Sequence, residues 1–391
     1  MGRRLWELVR LFLKLGTVSF GGPAAHIAVM EDEVVHRRQW LSRDQFLDLL
    51  AASNLIPGPN ALEMAAYVGY RRAGLAGSLL AAVAFTLPAA LITMGLAWLY
   101  QACGGIPEVG PFLRGIKPAV LTLIVVAVYR LGKTALGDWR TALIGVAVVA
   151  AALAGLNEVA TLLAAGVIGA VFLRLTQGRP PTPPAAPLGA WAVWLAAGGA
   201  SGAAVASAAG AGAAPGAAAP LWKLALFFLK VGAVLYGTGY VLVAYLDQGL
   251  VAHYGWLTEQ QLLDAVAAGQ VTPGPLMTTA TFIGYLLCGP WGAAAATVAI
   301  ILPGLVLVIL TNRWLDRLRS WPWSARFLDA VNAASIGLIL PVVVALARSS
   351  LADWQSWLIA AVAAVAVLRW HAPIALLVLG GGLAGTLLQR L

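Results

Sequence analysis

Two Pro-Gly-Pro triplets, Pro57-Gly58-Pro59 and Pro273-Gly274-Pro275, interrupt stretches that otherwise carry helical patterns. Proline removes an amide donor and disfavours helix at the preceding residue, whereas Pro59 or Pro275 is well tolerated where a new helix begins. One helix should therefore end and another begin at each triplet. The amides near Gly58, Asn60 and Ala61, and from Gly274 through Leu276 to Met277, then lie at helix N-termini, where the helix dipole and spare N–H groups favour an anion. A polar amide, Asn54 or Gln270, stands three residues before the first proline of each triplet. The competing reading of a Pro-Gly-Pro is a surface turn between short helices. Its recurrence with the same neighbours favours a functional break.

Further upstream, Lys14 and Lys230 occupy matching places in apolar surroundings, each just before a second candidate break: Ser19-Phe20-Gly21-Gly22-Pro23 in one case, Leu235-Tyr236-Gly237-Thr238-Gly239 in the other. The expected contacts for an anion there come from Gly21, Gly22, Gly237 and Thr238, where glycine permits close backbone approach. A lysine inside a membrane segment could offer a point charge to a dianion, or snorkel from a helix end to the headgroups. His26 and Glu63 follow the first-copy breaks and are candidates for proton coupling, although a lone histidine is more often merely packed. The second copy has Leu242 and Thr279 in their places.

The elements that position these residues are repeated. Residues 12–59 match residues 228–275 at a constant offset of 216: Phe20-Gly21 meets Tyr236-Gly237, Trp40-Leu41-Ser42 meets Trp256-Leu257-Thr258, and Asp48 meets Asp264. After one deleted residue the offset becomes 215, pairing Gly69-Tyr70 with Gly284-Tyr285, Leu87-Pro88 with Leu302-Pro303, and Asp138-Trp139 with Asp353-Trp354. These last pairs read as a helix cap beside an interfacial tryptophan. The predicted organisation is a first repeat at 1–175, a linker at 176–220 and a second repeat at 221–391. The linker opens on RPPTPPAAP, which suits polyproline geometry. Within it Leu188 to Ala208 carries no charge and could cross the bilayer once.

Of the 391 residues 61% are hydrophobic and only 10% charged, with a mean hydropathy of +0.85. That excludes an ordinary soluble domain and implies a multi-pass membrane protein bathed in lipid. The net charge of +9 comes from basic residues scattered between apolar runs, a pattern of membrane sorting and not of nucleic-acid binding. With alternating helices, Arg71-Arg72, Arg130, Lys133, Arg140, Arg174 and Arg179 can share the cytoplasmic face, and only Arg114 and Lys117 fall outside it. In the second half the densest cluster, Arg313, Arg317 and Arg319, follows the helix whose counterpart ends at the charge-free QACGG. The halves thus sort charge oppositely, as an inverted repeat would. The expected fold is an all-α integral membrane protein: two inverted-topology repeats with broken or re-entrant helices plus full transmembrane helices. The first two segments of each half read either as hairpins or as crossings, giving roughly nine or thirteen spans at about 20 residues each.

At these residues the chain resembles the chromate ion transporter family in its fused, two-domain form. Gly21-Gly22-Pro23, Trp40-Leu41 with Asp44 and Phe46, and Pro57-Gly58-Pro59 carry the likeness, and the second copy keeps Trp256-Leu257, Asp264 and Pro273-Gly274-Pro275. It departs at Gly237-Thr238-Gly239. The resemblance implies chromate efflux across the cytoplasmic (inner) membrane, driven by the proton motive force, with sulfate as a related oxyanion and oppositely oriented halves. The partners implied are chromate or a related oxyanion and membrane lipids, with a homodimer left open and no nucleic acid. An anion channel would share the half-helices and lysines. An enzyme is disfavoured, since there is no HExxH, GxSxG, P-loop lysine or clustered His and Cys, and no cofactor or metal is expected. Only Cys103 and Cys288 are present, too few for a disulfide framework.

Overall fold

A computed structural model describes residues 2–18, 23–54, 56–103, 109–176, 219–236, 241–312, 322–370 and 372–388. Gly21, Gly22, Gly237 and Thr238 lie outside the described residues, as do Arg179, the Leu188 to Ala208 stretch, and Arg313, Arg317 and Arg319. Within the described residues the chain is α-helical and contains no strand. The first seven helices are α1 (Gly2–Val18), α2 (Pro23–Glu31), α3 (Arg43–Ser53), α4 (Asn60–Cys103), α5 (Val109–Ala135), α6 (Trp139–Leu153) and α7 (Glu158–Thr176). Then come α8 (Leu221–Val234), α9 (Val241–Leu246), α10 (Glu259–Val271), α11 (Thr279–Thr311), α12 (Pro322–Ser350), α13 (Trp354–Trp370) and α14 (Ile374–Leu388).

Local chemistry explains where helices start. Ser42 caps α3 and Thr258 caps α10 by the same reciprocal box: each hydroxyl accepts from the amide of Gln45 or Gln261, whose side chain accepts from the cap amide. Both α2 and α9 run on into a π-helical turn, Asp32–Arg37 and Asp247–His253. Both long central helices fold back on themselves. In α4 the chain bends at Ala73 and Gly74, and in α11 at Cys288 and Gly289, where each glycine has a left-handed φ of +64° or +62°. The limbs meet through glycine: a Cβ on Gly69 would strike the carbonyl of Gly77, and one on Gly284 that of Gly292. The 44-residue helix α4 is therefore a tight hairpin of a short limb, 60–72, and a long one, 75–103.

That distinction matters for membrane topology. At 1.5 Å per residue α3 and the short limb of α4 reach only about 16 and 20 Å, less than the roughly 30 Å hydrocarbon core, while the long limb crosses it. Among the described residues, five stretches are long and apolar enough to cross: 60–103, 110–133, 158–176, 276–311 and 326–350. Their outer faces carry exposed Val83, Leu87, Leu91, Val298, Val306 and Val344, as a lipid-facing surface requires. Trp139 and Trp354 start α6 and α13 and are exposed, consistent with interfacial anchoring.

Packing is reciprocal across the chain. Helix α5 lies against α13 and α14, while α12 lies against α6 and α7. The two hairpin helices α4 and α11 meet at the centre, with α1 held on α4 and α8 on α11. Close approach again uses glycine. A Cβ on Gly16 of α1 would strike the Phe85 carbonyl of α4, and one on Gly232 of α8 the Ile300 carbonyl of α11. Both cysteines are free and half-buried, and the Cys288 thiol donates to the Ala219 carbonyl at 3.0 Å.

Candidate functional site

Each Pro-Gly-Pro lies at the central meeting of α4 and α11. At the first, α3 ends at Ser53 and α4 begins at Asn60. Ile56, Pro57, Gly58 and Pro59 are buried, and Gly58 takes φ +140°, a conformation closed to other residues at ordinary cost. At the second, α10 ends at Val271, Gly274 takes φ +100°, and a single 3-10 turn, Leu276–Thr278, leads into α11. Non-helical backbone in a membrane protein survives where protein or a wet cavity satisfies it, and here protein does so in part.

The two breaks are lodged in one another's repeats. The Gly58 amide donates to the Leu235 carbonyl at the end of α8, 2.7 Å away. A Cβ on Gly304 of α11 would fall 3.2 Å from the Pro57 carbonyl. Conversely, a Cβ on Gly274 would fall 2.8 Å from the Cβ of Ala89 in α4 and 3.6 Å from the Gly16 carbonyl in α1. Gly304 and Ala89 stand at the same offset of 215 that pairs the sequence halves. Leu235 and Tyr236 are themselves roofed by α12, whose Ser335 hydroxyl donates to the Tyr236 carbonyl at 3.4 Å and whose Phe327 ring meets the Tyr236 ring edge-on.

The side chains around the two breaks differ. Beside the first, Glu63 is 1% exposed and neither carboxylate oxygen has a hydrogen-bond partner. It fills the space that a Cβ on Gly58 or on Gly304 would need. One turn further along, the Tyr67 hydroxyl is hydrogen-bonded to that of Thr311 at 2.8 Å. The Asn60 amide donates to the Asn54 carbonyl oxygen, stapling the helix ends on either side of the triplet. Beside the second break stand hydroxyls. Thr93 of α4 donates to Thr272 at 3.3 Å, Thr272 donates to the carbonyls of Ala268 and Gly269, and Thr278 donates to the Pro275 carbonyl. Thr279 Oγ1 and Gln270 Nε2 are buried without a partner.

Of the two lysines, Lys14 is engaged directly by a carboxylate. Lys14 Nζ lies 2.6 Å from Glu33 Oε1, and Arg37 and Arg38 reach the same carboxylate at 3.6 and 3.3 Å. Hydrogen bonding from Lys14 holds the Glu33 carboxyl below its usual range against the opposing effect of burial. Lys230, half-buried on α8, lies within electrostatic reach of Glu158 at the start of α7. His26 is buried with its ring edge-on to Phe85, 5.8 Å between centroids. Arg72 pairs with Glu7 and lies over the Trp40 ring, so this member of the Arg71-Arg72 pair anchors the end of α1.

Several residues of this region escape a reading of the sequence. Thr93, Thr272 and Thr278 join the second break only through the fold, although the run VTPGPLMTTATF is rich in hydroxyls for so apolar a chain. Gly16, Ala89 and Gly304 look like ordinary small residues of apolar helices. Arg326 is 8% exposed at the start of α12, next to Phe327, and no motif marks it.

Helices of this length and polarity, with broken backbone buried between them, define an all-α multi-pass membrane protein. The sequence pattern of the family described as Chromate transporter matches residues 6–170 and 222–386, and the chain belongs to that family. It is 34% identical to a chromate transport protein of Cupriavidus metallidurans, over 94% of this chain and 88% of that one. It is 32% identical to a probable chromate transport protein of Synechococcus elongatus, covering 92% and 89%, and 32% identical to a chromate transport protein of Pseudomonas aeruginosa, covering 97% and 92%. No solved structure matches the chain.

Proposed function

We propose that this protein carries chromate outward across the cytoplasmic membrane, driven by the proton motive force. The observation that carries the reading is the mutual lodging of two Pro-Gly-Pro breaks, each buried against the other half of the chain. The names of its relatives point the same way. Helix starts at Asn60 and Leu276 turn amide-rich ends toward the break region, which favours a dianion. Asn60, Gly274 and Leu276 supply backbone, Asn54 and Gln270 supply amides, and Pro57, Pro59, Pro273 and Pro275 hold the helices open; the Gly58 amide, a donor expected from the sequence, is already bonded to the Leu235 carbonyl and shapes the break instead. Lys14, held by Glu33, and Lys230 add positive charge, and Gly21, Gly22, Gly237 and Thr238, which lie outside the described residues, join the proposed set on their sequence positions alone. The chain's two repeats, 1–175 and 221–391, are read as oppositely inserted, joined through the 176–220 linker.

Direction is supported by charge. A potential that is negative inside drives a dianion outward with about 4.6 kcal/mol per 100 mV, twice the ~2.3 kcal/mol for one charge. Proton coupling falls to Glu63, a buried carboxyl with no partner, and to His26. A carboxyl beside the break with neither oxygen bonded is placed to exchange a proton as its surroundings change. The test is chromate flux in proteoliposomes with voltage and pH gradient set separately. Saturable flux that responds to both and is competed by sulfate is expected. Unsaturable current following voltage alone would mean a channel, and absence of flux would reject the reading.

A further inference from the structure

The two breaks share a backbone form, but their spare hydrogen-bonding groups differ. At the second break the hydroxyl protons of Thr93, Thr272 and Thr278 are already committed: Thr93 donates to Thr272, Thr272 to the carbonyls of Ala268 and Gly269, and Thr278 to the Pro275 carbonyl. What remains is the Thr279 hydroxyl, on a residue 1% exposed, and the Gln270 amide nitrogen, both buried and without an acceptor. They come from the two sides of the break, Gln270 from the last turn of α10 and Thr279 from the first residue of α11. The Thr279 hydroxyl faces the end of α10, where it occupies the space a Cβ on Gly269 would need. A hydroxyl offers one proton and a primary amide two, so up to three donors are left for an acceptor that the protein does not supply. Leaving buried donors unpaired is expensive, which is the mark of a place that takes a ligand.

The first break offers no such set of donors. Its spare polar group is Glu63, an acid that has a single proton to offer when neutral and repels a dianion when ionised. Tyr67, the titratable neighbour along the same helix, is bound to Thr311, and the α11 and α8 surfaces against the break present Gly304 and the Leu235 carbonyl. The Asn60 amide is partly spent on Asn54.

We propose that the tetrahedral oxyanion is held at the second break, by the Thr279 hydroxyl and the Gln270 amide, and that the first break is not a second copy of that subsite. The direct contacts are neutral donors whose atoms are buried, where a hydrogen bond to a charged oxygen is strong. The assignment rests on the oxyanion-carrier reading and locates its substrate.

The experiment measures equilibrium chromate binding and the half-saturating concentration for transport with the full-length protein in lipid. Thr279→Val keeps the shape and removes the hydroxyl, and should raise both values about tenfold, the equivalent of one charge-assisted hydrogen bond lost. Thr279→Ser should restore most of the affinity, and Gln270→Leu should resemble Thr279→Val. Thr281→Val, two residues on and paired with Thr297 at 2.7 Å, should bind like the wild type. Unchanged affinity in Thr279→Val and Gln270→Leu, in a protein that still transports chromate, would overturn the subsite and leave those donors to buried water. Equal losses in Thr279→Val, Thr279→Ser and Thr281→Val would also overturn it, as general damage to α11. Wild-type protein that neither binds nor moves chromate would instead overturn the carrier reading.

Discussion

The two Pro-Gly-Pro breaks share a backbone and differ in chemistry. Both hold a glycine with left-handed φ, buried at Gly58 and half-buried at Gly274, both follow a helix with a Ser/Thr–Gln capping box, and both precede a helix that doubles back at a glycine. Around that common frame one break carries Glu63 and an asparagine staple, the other a cluster of threonines. Duplication explains the frame, because close packing of backbone on backbone tolerates few residue types. The side chains that differ are where such a scaffold can perform two tasks, which the proposed function assigns as proton exchange and oxyanion contact.

The comparison is broken most severely at the glycines. Gly58→Ala meets a forbidden φ and drives a methyl into Glu63, so transport should fall by more than about tenfold, with backbone strain alone worth roughly 1–3 kcal/mol. Gly274→Ala meets the same φ problem but only a methyl of Ala89, and should retain more activity and a higher melting temperature than Gly58→Ala. Equal behaviour would show that Glu63 adds nothing to the constraint at the first break. Pro57→Ala and Pro273→Ala come next: transport should drop several-fold with membrane expression intact, since removing one proline relaxes the helix break by up to about 3 kcal/mol without removing a donor to the site. Unchanged flux in both would reject a role for the breaks.

Smaller effects test the surrounding charges. Lys14→Ala and Lys230→Ala should weaken oxyanion binding about threefold, more than Arg140→Ala, whose guanidinium is engaged with Asp138 and the Trp139 ring. Identical binding by all three would remove the lysines from the site. The Lys14–Glu33 contact also carries a pH signature. Because Glu33 is held below its ordinary value of 4.5, its stabilisation is present above that pH and is lost as pH falls through the depressed value. The melting-temperature gap between wild type and Lys14→Met should therefore close in acid. Least of all, Tyr100→Phe removes one of two donors to buried Asp264, and should lower stability by about 1 kcal/mol while Gln260 keeps its contacts at 3.1 and 3.0 Å.

Much of the frame is legible in the sequence, because constant offsets, prolines and glycines report directly on backbone. The helix ends flanking Pro57 and Pro273 and the all-α membrane class follow from residue type and spacing alone. The fold-back at Ala73-Gly74 is half visible: Arg71-Arg72 closes one helical pattern and Leu75 opens an apolar run, but only the contact of Gly69 with Gly77 shows the two limbs packed as a hairpin. Side-chain pairing is least legible. Lys14 looks like a free charge in apolar surroundings, yet its partner Glu33 arrives from a π-helical turn 19 residues on. Thr93 and Thr272 are 179 residues apart and meet only because α4 and α10 converge at the second break. Such contacts depend on how helices cross, which no local pattern encodes.

The division between the breaks is tested most directly at Glu63. Chromate flux in proteoliposomes would be measured for wild type and Glu63→Gln, first under a pH gradient without a potential, then under a potential without a pH gradient. Glu63→Gln should lose the response to the pH gradient and keep chromate affinity within about twofold, well inside the ~1.4 kcal/mol that a tenfold change represents. A variant that still follows the pH gradient, or one whose chromate affinity collapses as in Thr279→Val, would contradict that division.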